Sequence, residues 1–328
     1  MRTILIAAFT FALLGLPAHA QNESDLLNLS LPDVTWAVQL RMHEWKVSFQ
    51  DFKKDFRGRT LQAFDTVSGL QVSVFIDDEE KKKKFDGVGL RDYTMKNLQR
   101  ISGPSYRDFK MYEAGPIAFA DYVSIGDERY PQDDRRYRYA FWIRDHKWIS
   151  IRLEEEFKTA RTDSTFETFF AGVRTIENYT QTAMDYFVYG SWAYNHGEFE
   201  DAAQYYQAAL DLEKVERTLH EYLWLVTVDN LAMSYGIPGD SKKAREILDY
   251  GLSVRPEFPM FHYNKACSFA EEKNLDSALH YLGRANELRG NVIPGEALPD
   301  PLEDSSFKKY LDDPRFKALL EFWGRDPQ

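Results

Sequence analysis

Apolar and polar positions change rhythm along the chain, and the change falls near residue 180. Before it, the pattern alternates with period two over short stretches. In Leu70–Ile76 (LQVSVFI), Leu70, Val72, Val74 and Ile76 share one face, with Gln71 and Ser73 on the other, which predicts a strand. Val34–Met42 and Trp45–Phe49 are shorter strand candidates. Tyr137–Leu153 predicts a hairpin. Tyr137, Tyr139, Phe141 and Ile143 alternate with Arg138, Ala140 and Trp142, Arg144-Asp145-His146-Lys147 turns, and Ile149, Ile151 and Leu153 return on one face. Two stretches switch to helical spacing. Leu90–Ile101 places Leu90, Tyr93, Met95, Leu98 and Ile101 on one stripe. Ser164–Ile176 opens with the capping spacing Ser164-x-x-Glu167 and buries Phe166, Phe169, Phe170 and Val173. Strands interrupted and closed by helices predict an α+β domain over 34–179, an antiparallel sheet with packed helices.

From Ala183 the period is helical throughout and the sequence repeats itself. Tyr186–Asp211 sets Gly190 and Ala193 on a first helix, a turn at Gly197, then Phe199, Ala202, Tyr206 and Ala209 on a second. Val228–Pro256 repeats this with Leu231, Ala232, Tyr235, Gly239, Ala244, Leu248 and Gly251. His262–Ala285 repeats it again with Ala266, Phe269, Leu275, Ala278, Leu282 and Ala285. Ala244 and Ala278 are 34 residues apart, whereas Ala202 and Ala244 are 42 apart, which predicts a longer connection around Val215–Trp224. The small residues let paired helices approach closely, and Phe199, Leu248 and Leu282 fill between them.

A period of 34 with these small residues resembles the tetratricopeptide repeat family over about Ala183–Arg289. Tyr263-Asn264-Lys265-Ala266-Cys267, followed by Leu302 and Asp312-Asp313-Pro314-Arg315-Phe316, resembles the segment that ends many such arrays. The resemblance implies an all-α superhelix over 183–290. It also implies a capping segment over 291–328, with Phe316, Leu319, Leu320 and Trp323 on the apolar face of its last helix. Proteins of the family hold a partner protein or peptide in a groove lined by the first helix of each pair. Here that groove would contain Phe187, Ser191, Tyr194, Asn195, Asp229, Met233, Tyr263, Asn264 and Cys267. Relatives that clamp a C-terminal carboxylate carry cations where this chain has Phe187 and Ser191, so the groove suits an apolar or basic segment instead. Each aromatic among these residues has a second reading, packing between repeats. The element order of the first half resembles the PsbP-like group of small secreted or lumenal domains.

The start of the chain reads as an export signal. Met1-Arg2-Thr3 is positive, Ile4–Leu16 is an apolar core, and Pro17-Ala18-His19-Ala20 offers small residues for cleavage before Gln21. The thirteen-residue apolar stretch is short of the ~30 Å of a bilayer core. The expectation is a signal over 1–20, a flexible leader over 21–33, no transmembrane segment after cleavage, and a periplasmic or secreted protein. With 41 basic and 52 acidic residues the formal net charge is −11, which argues against nucleic acid as a partner. One cysteine excludes an internal disulfide framework.

Chemistry finds little to stand on. His220-Glu221 begins like a zinc-protease helix, but Trp224 occupies the place of the second histidine. The other histidines are scattered, and no phosphate loop or G-x-S-x-G elbow occurs, so neither metal nor cofactor is expected and catalysis is not. Cys267 reads as a small thiol in a repeat helix. Asp77–Glu80 with Lys81–Lys84, and the loop Gly126–Arg136, read first as solvated charged segments, with docking as the alternative. Two rival functions remain. One is an enzyme whose site gathers His43, Glu44, Asp121, Trp142 and His146 in the first domain; the other is a carrier of a small ligand or lipid in the sandwich.

Overall fold

A computed structural model describes residues 26–42, 45–78, 85–102, 106–124, 135–156 and 164–323. The chain divides into two compact units at Thr180/Gln181. The signal-like residues 1–20, His43, Glu44, Glu79–Lys84 and Gly126–Asp134 lie outside the described residues.

In the first unit, β1 (Leu26–Leu29), β2 (Trp36–Arg41) and β10 (Arg174–Glu177) form one antiparallel sheet in the order β1-β2-β10. A second sheet runs β3-β4-β5-β9-β8-β7-β6, built from β3 (Trp45–Phe52), β4 (Gly58–Asp65), β5 (Gln71–Asp78), β6 (Tyr106–Ala114), β7 (Ile117–Ser124), β8 (Arg135–Arg144) and β9 (Lys147–Glu156). Register explains the layers. Val72, Val74 and Ile76 of β5 lie opposite Leu153, Ile151 and Ile149 of β9, all almost fully buried. They form one apolar face with Leu61, Ala63 and Trp142. This face is covered at Arg59 by Ser30 of the small sheet, which accepts a bond of 3.0 Å, and at Phe119 by Phe170 of α2 (Ser164–Ala171). On the opposite face α1 (Gly87–Ser102) packs Leu90 and Met95 against Ala120, Tyr122, Tyr139 and Phe141.

Two expectations are corrected. Residues 26–33 are no loose leader: Leu26–Leu29 pairs with Val38–Arg41, Leu29 and Leu31 are buried, and the Ser30 hydroxyl donates to the Trp36 carbonyl. The helix expected to reach Ile176 stops at Ala171, and Arg174–Glu177 instead completes the small sheet beside β2.

In the second unit six helices form three antiparallel pairs: α3 (Ala183–Asn195) with α4 (Phe199–Val215), α5 (Glu221–Gly236) with α6 (Ser241–Val254), and α7 (Pro259–Glu271) with α8 (Leu275–Glu287). The result is an all-α superhelix following an α+β unit. Asp240 and Asn274, 34 residues apart, each cap the N-terminus of a second helix by accepting from a backbone N–H three residues on. Ala202, Ala232, Ala244, Ala266 and Ala278 are buried. The eight extra residues of the first period do not make a long loop. Helix α4 has 17 residues against 14 in α6, and α5 has 16 against 13 in α7, so most of the excess extends helices. The short α4–α5 connection is held by the buried Glu213 carboxylate, which accepts from Thr218 N, Thr218 Oγ1 and Leu219 N at 2.8–2.9 Å.

Close approach is what demands glycine at 251. A Cβ there would lie 2.7 Å from Phe261 Cε2 and 2.9 Å from Val228 Cγ1, both in fully buried side chains. At Gly283 in α8, a Cβ would meet nothing within 4 Å. Gly283→Ala should therefore stabilise by up to about 1 kcal/mol through helix propensity. Gly251→Ala should instead destabilise by about 1–3 kcal/mol, because overpacking outweighs that gain. Thermal and urea unfolding of the two variants measures the contrast, and equal shifts would refute the close packing of α5, α6 and α7.

Candidate partner-binding groove

The first helix of each pair, α3, α5 and α7, supplies the inner row, and a relay of polar side chains links the first two pairs. Asn230 Nδ2 of α5 donates to Tyr206 Oη of α4 at 3.0 Å. Tyr206 donates to Ser191 Oγ of α3 at 3.0 Å, and Ser191 donates to the Phe187 carbonyl at 2.8 Å. Ser191 is thus committed within the fold. Phe187 is buried against the Tyr206 ring, so the structure uses it for packing. Tyr194 is half-buried and rests edge-on against Phe199 and Tyr206. Burial, and then the Asp229 carboxylate, push the Tyr194 hydroxyl above the usual phenol range. Asn195 is exposed and Met233 half-buried, so in the first two repeats the row offers Tyr194, Asn195 and Met233 at its surface.

Asp229 and Asn264 join α5 to α7: Asn264 Nδ2 donates to Asp229 Oδ1 at 2.7 Å. Burial raises the Asp229 carboxyl to about 7, the Asn264 bond opposes that rise, and the nearby Glu296 carboxylate adds to it.

The third repeat departs from the expected open wall. After α8 the chain runs without regular structure from Val292 to a 3-10 turn at Lys308–Tyr310, then forms the short α9 (Pro314–Leu320). This segment lies on α7. Tyr263 Oη donates to Asp304 Oδ2 at 3.0 Å, and Cys267 Sγ approaches the same oxygen at 3.6 Å. Phe307, fully buried, sits between the rings of Tyr263 and Phe316, with centroids 6.0 and 5.7 Å away. Tyr263 and Cys267, read from sequence as facing a partner, are therefore occupied by this chain itself. The reason is that an array's last inner helix has apolar surface and no following repeat to cover it. Burial, then the Asp304 carboxylate, hold the Cys267 thiol well above its usual range.

The residues sequence reasoning missed are Tyr206, Asn230, Glu296, Asp304 and Phe307. Tyr206 was placed on the second helix of the first pair as a repeat position, without a polar role. The others carry no repeat signal, and Asp304 lies 41 positions from the tyrosine it binds.

The rival catalytic set does not assemble among the described residues. Asp121 accepts from Arg138 Nε and Nη2 at 2.8 and 2.7 Å and is spent on that pair. His146 stands in the two-residue turn between β8 and β9 at φ 61°. That is more than about 20 Å along the strand from Arg138. His220 caps α5 by accepting from Tyr222 N, and Trp224 is buried beneath the Arg217 guanidinium, 4.4 Å from its ring.

The class these features define is an α+β sandwich joined to a helical-repeat superhelix with a self-occupied end. The chain matches no protein-family model and no curated protein. Among solved structures it is similar to cyanobacterial PsbP (CyanoP) from Synechocystis sp. PCC 6803, at 15% identity over 45% of this chain and 91% of that one, with a TM-score of 0.32. It is also similar to a multi-domain immunophilin from Arabidopsis thaliana, at 12% identity over 65% of this chain and 93% of that one, with a TM-score of 0.27.

Proposed function

We propose that this chain is an exported, non-catalytic interaction protein that holds an apolar or basic segment of a partner protein against the inner row of its first two repeats. The carrying observation is the division of labour along that row. In the third repeat Tyr263 and Cys267 are covered by the chain's own segment, whereas Asn195 is exposed and Tyr194 and Met233 are only half-buried. The aromatic, amide and thioether surface of Tyr194, Asn195 and Met233 is complementary to apolar side chains, and it carries no cation that would repel a basic neighbour. Export rests on the signal-like first twenty residues, and among the described residues no helix is long and apolar enough to cross a membrane.

The test is site-specific photocrosslinking of the full chain in its own host. Crosslinkers at Asn195 and Met233 should give the same discrete protein adduct in the export compartment. One at Lys242, exposed on α6, should not. No adduct from the inner row, or an identical one from Lys242, would refute the reading.

A further inference from the structure

Helix α5 is closed on all sides but one. From Leu223 to Ser234 every residue is buried except Val226, Asp229, Asn230 and Met233, and their spacing of three, one and three residues puts all four on a single stripe. Asn230 is committed within the fold, where its Nδ2 donates to Tyr206 Oη. What the stripe offers outward is therefore one carboxylate between two apolar side chains. At ~1.5 Å per residue, Val226 lies about 4.5 Å before it along the helix axis and Met233 about 6 Å after it. Asp229 is tied on one side only. Its Oδ1 accepts from Asn264 Nδ2 of α7 at 2.7 Å, a neutral donor. Among the described residues Oδ2 accepts no hydrogen bond and no cation pairs with the carboxylate, yet Oδ2 is not sealed from solvent. Other buried carboxylates of this chain are better supplied: Asp121 has both its oxygens on Arg138, and Glu213 accepts three bonds through one oxygen.

We propose that Asp229 receives a lysine or arginine of the partner segment, and that Val226 and Met233 take the apolar residues on either side of that cation. The inference rests on the partner-binding reading above and names the chemistry that the second repeat selects.

Charge complementarity fixes the occupant. A cation laid on this stripe gains a charge-assisted bond at Oδ2 in a site already partly withdrawn from water, where such bonds are strong. Its aliphatic stem lies along Val226 or Met233 while its head reaches the carboxylate. An acidic segment is repelled by the same group, and a wholly apolar one would cover Oδ2 without replacing its water, so both are selected against. The titration agrees with this geometry. Burial holds the Asp229 carboxyl at about 7, the Asn264 bond opposes that rise without cancelling it, and a docked cation would bring the group back toward the ordinary carboxylate range.

The test captures the segment and reads its sequence. The full chain with a diazirine crosslinker at Met233 is irradiated in its own host, and the adduct is mapped by mass spectrometry. The captured segment should carry a lysine or arginine within about four residues of the attachment point, the reach that the spacing of the stripe allows. Asp229→Asn keeps an acceptor for Asn264 and loses the charge, so it should lower the adduct yield at least about tenfold, with the melting temperature of the chain unchanged. Asp229→Arg should abolish the adduct, and replacing the captured cation of the partner by glutamate should restore it, which a merely structural role for Asp229 would not do. A captured segment without a cation at that place, a yield that Asp229→Asn leaves unchanged, or a charge exchange that restores nothing overturns the cation site and leaves the partner-binding reading standing. No adduct from the unaltered aspartate overturns both.

Discussion

Arg138→Met should cost the first unit about 3–5 kcal/mol, because it strands a carboxylate inside the sandwich. Asp121 and Arg138 face each other across β7 and β8, with side chains 12% and 8% exposed, and the guanidinium binds both carboxylate oxygens. Aromatic rings close over the cation, Phe166 at 5.6 Å and Tyr112 at 5.8 Å. Burial alone works against the Arg138 charge, and the bond and field of Asp121 outweigh it, leaving the guanidinium held above its usual range. Remove the arginine and Asp121 loses the two bonds that offset its desolvation. Replace both, with Asp121→Leu beside Arg138→Met, and most of the loss should return, since apolar groups fit a site walled by Phe119, Phe166 and Tyr112. Native-state hydrogen exchange of the β7 and β8 amides measures each step. A single-variant cost below about 1 kcal/mol would mean that the pair is solvated and the covering by α2 loose.

The same pair shows where sequence stops informing. Alternation at Tyr137–Leu153 gave the hairpin because β8 and β9 are long and joined by a two-residue turn. Strand β7 (IAFADYVS) escaped notice because both its faces are covered, by α1 and by α2, so apolar residues run together instead of alternating. Edge strand β6 was lost for the opposite reason: most of its side chains are exposed and a bulge breaks its register. The repeats were legible because close helix contact demands small residues, and those recur in phase.

The candidate groove was half legible. Inner-row positions follow from the repeat, so Tyr194, Asn195, Asp229, Met233, Tyr263, Asn264 and Cys267 could be placed on it. What covers them could not. The segment after α8 has no period, and its contacts with α7 depend on a path that only the folded chain defines. Phe187 and Ser191 turn inward because Tyr206, about two turns into the partner helix, packs on the Phe187 ring and bonds the Ser191 hydroxyl.

That covering segment leads to the other large effect. Phe307→Ala removes a fully buried ring from a cluster whose opposite wall is mostly alanine: Ala266, Ala270, Ala278 and Ala285. Larger neighbours relax into a hole, whereas methyl groups on two packed helices cannot reach, so the cavity should persist. The cost belongs in the upper part of the ~3–5 kcal/mol range for such truncations. Leu302→Ala, at a side chain 51% exposed in the same segment, should change stability by no more than about 0.5 kcal/mol. Position along the array decides what the loss means. Each repeat contacts only its neighbours, so damage at the end should be largest in α7 and α8 and fade toward α3 and α4. Amide exchange resolved by helix reads that gradient. If Phe307→Ala frees residues 304–320 while α7 and α8 keep their protection, the segment is an appendage lying on a repeat array that is stable without it. If protection falls first in α7 and α8, the segment supplies the missing neighbour of the last repeat.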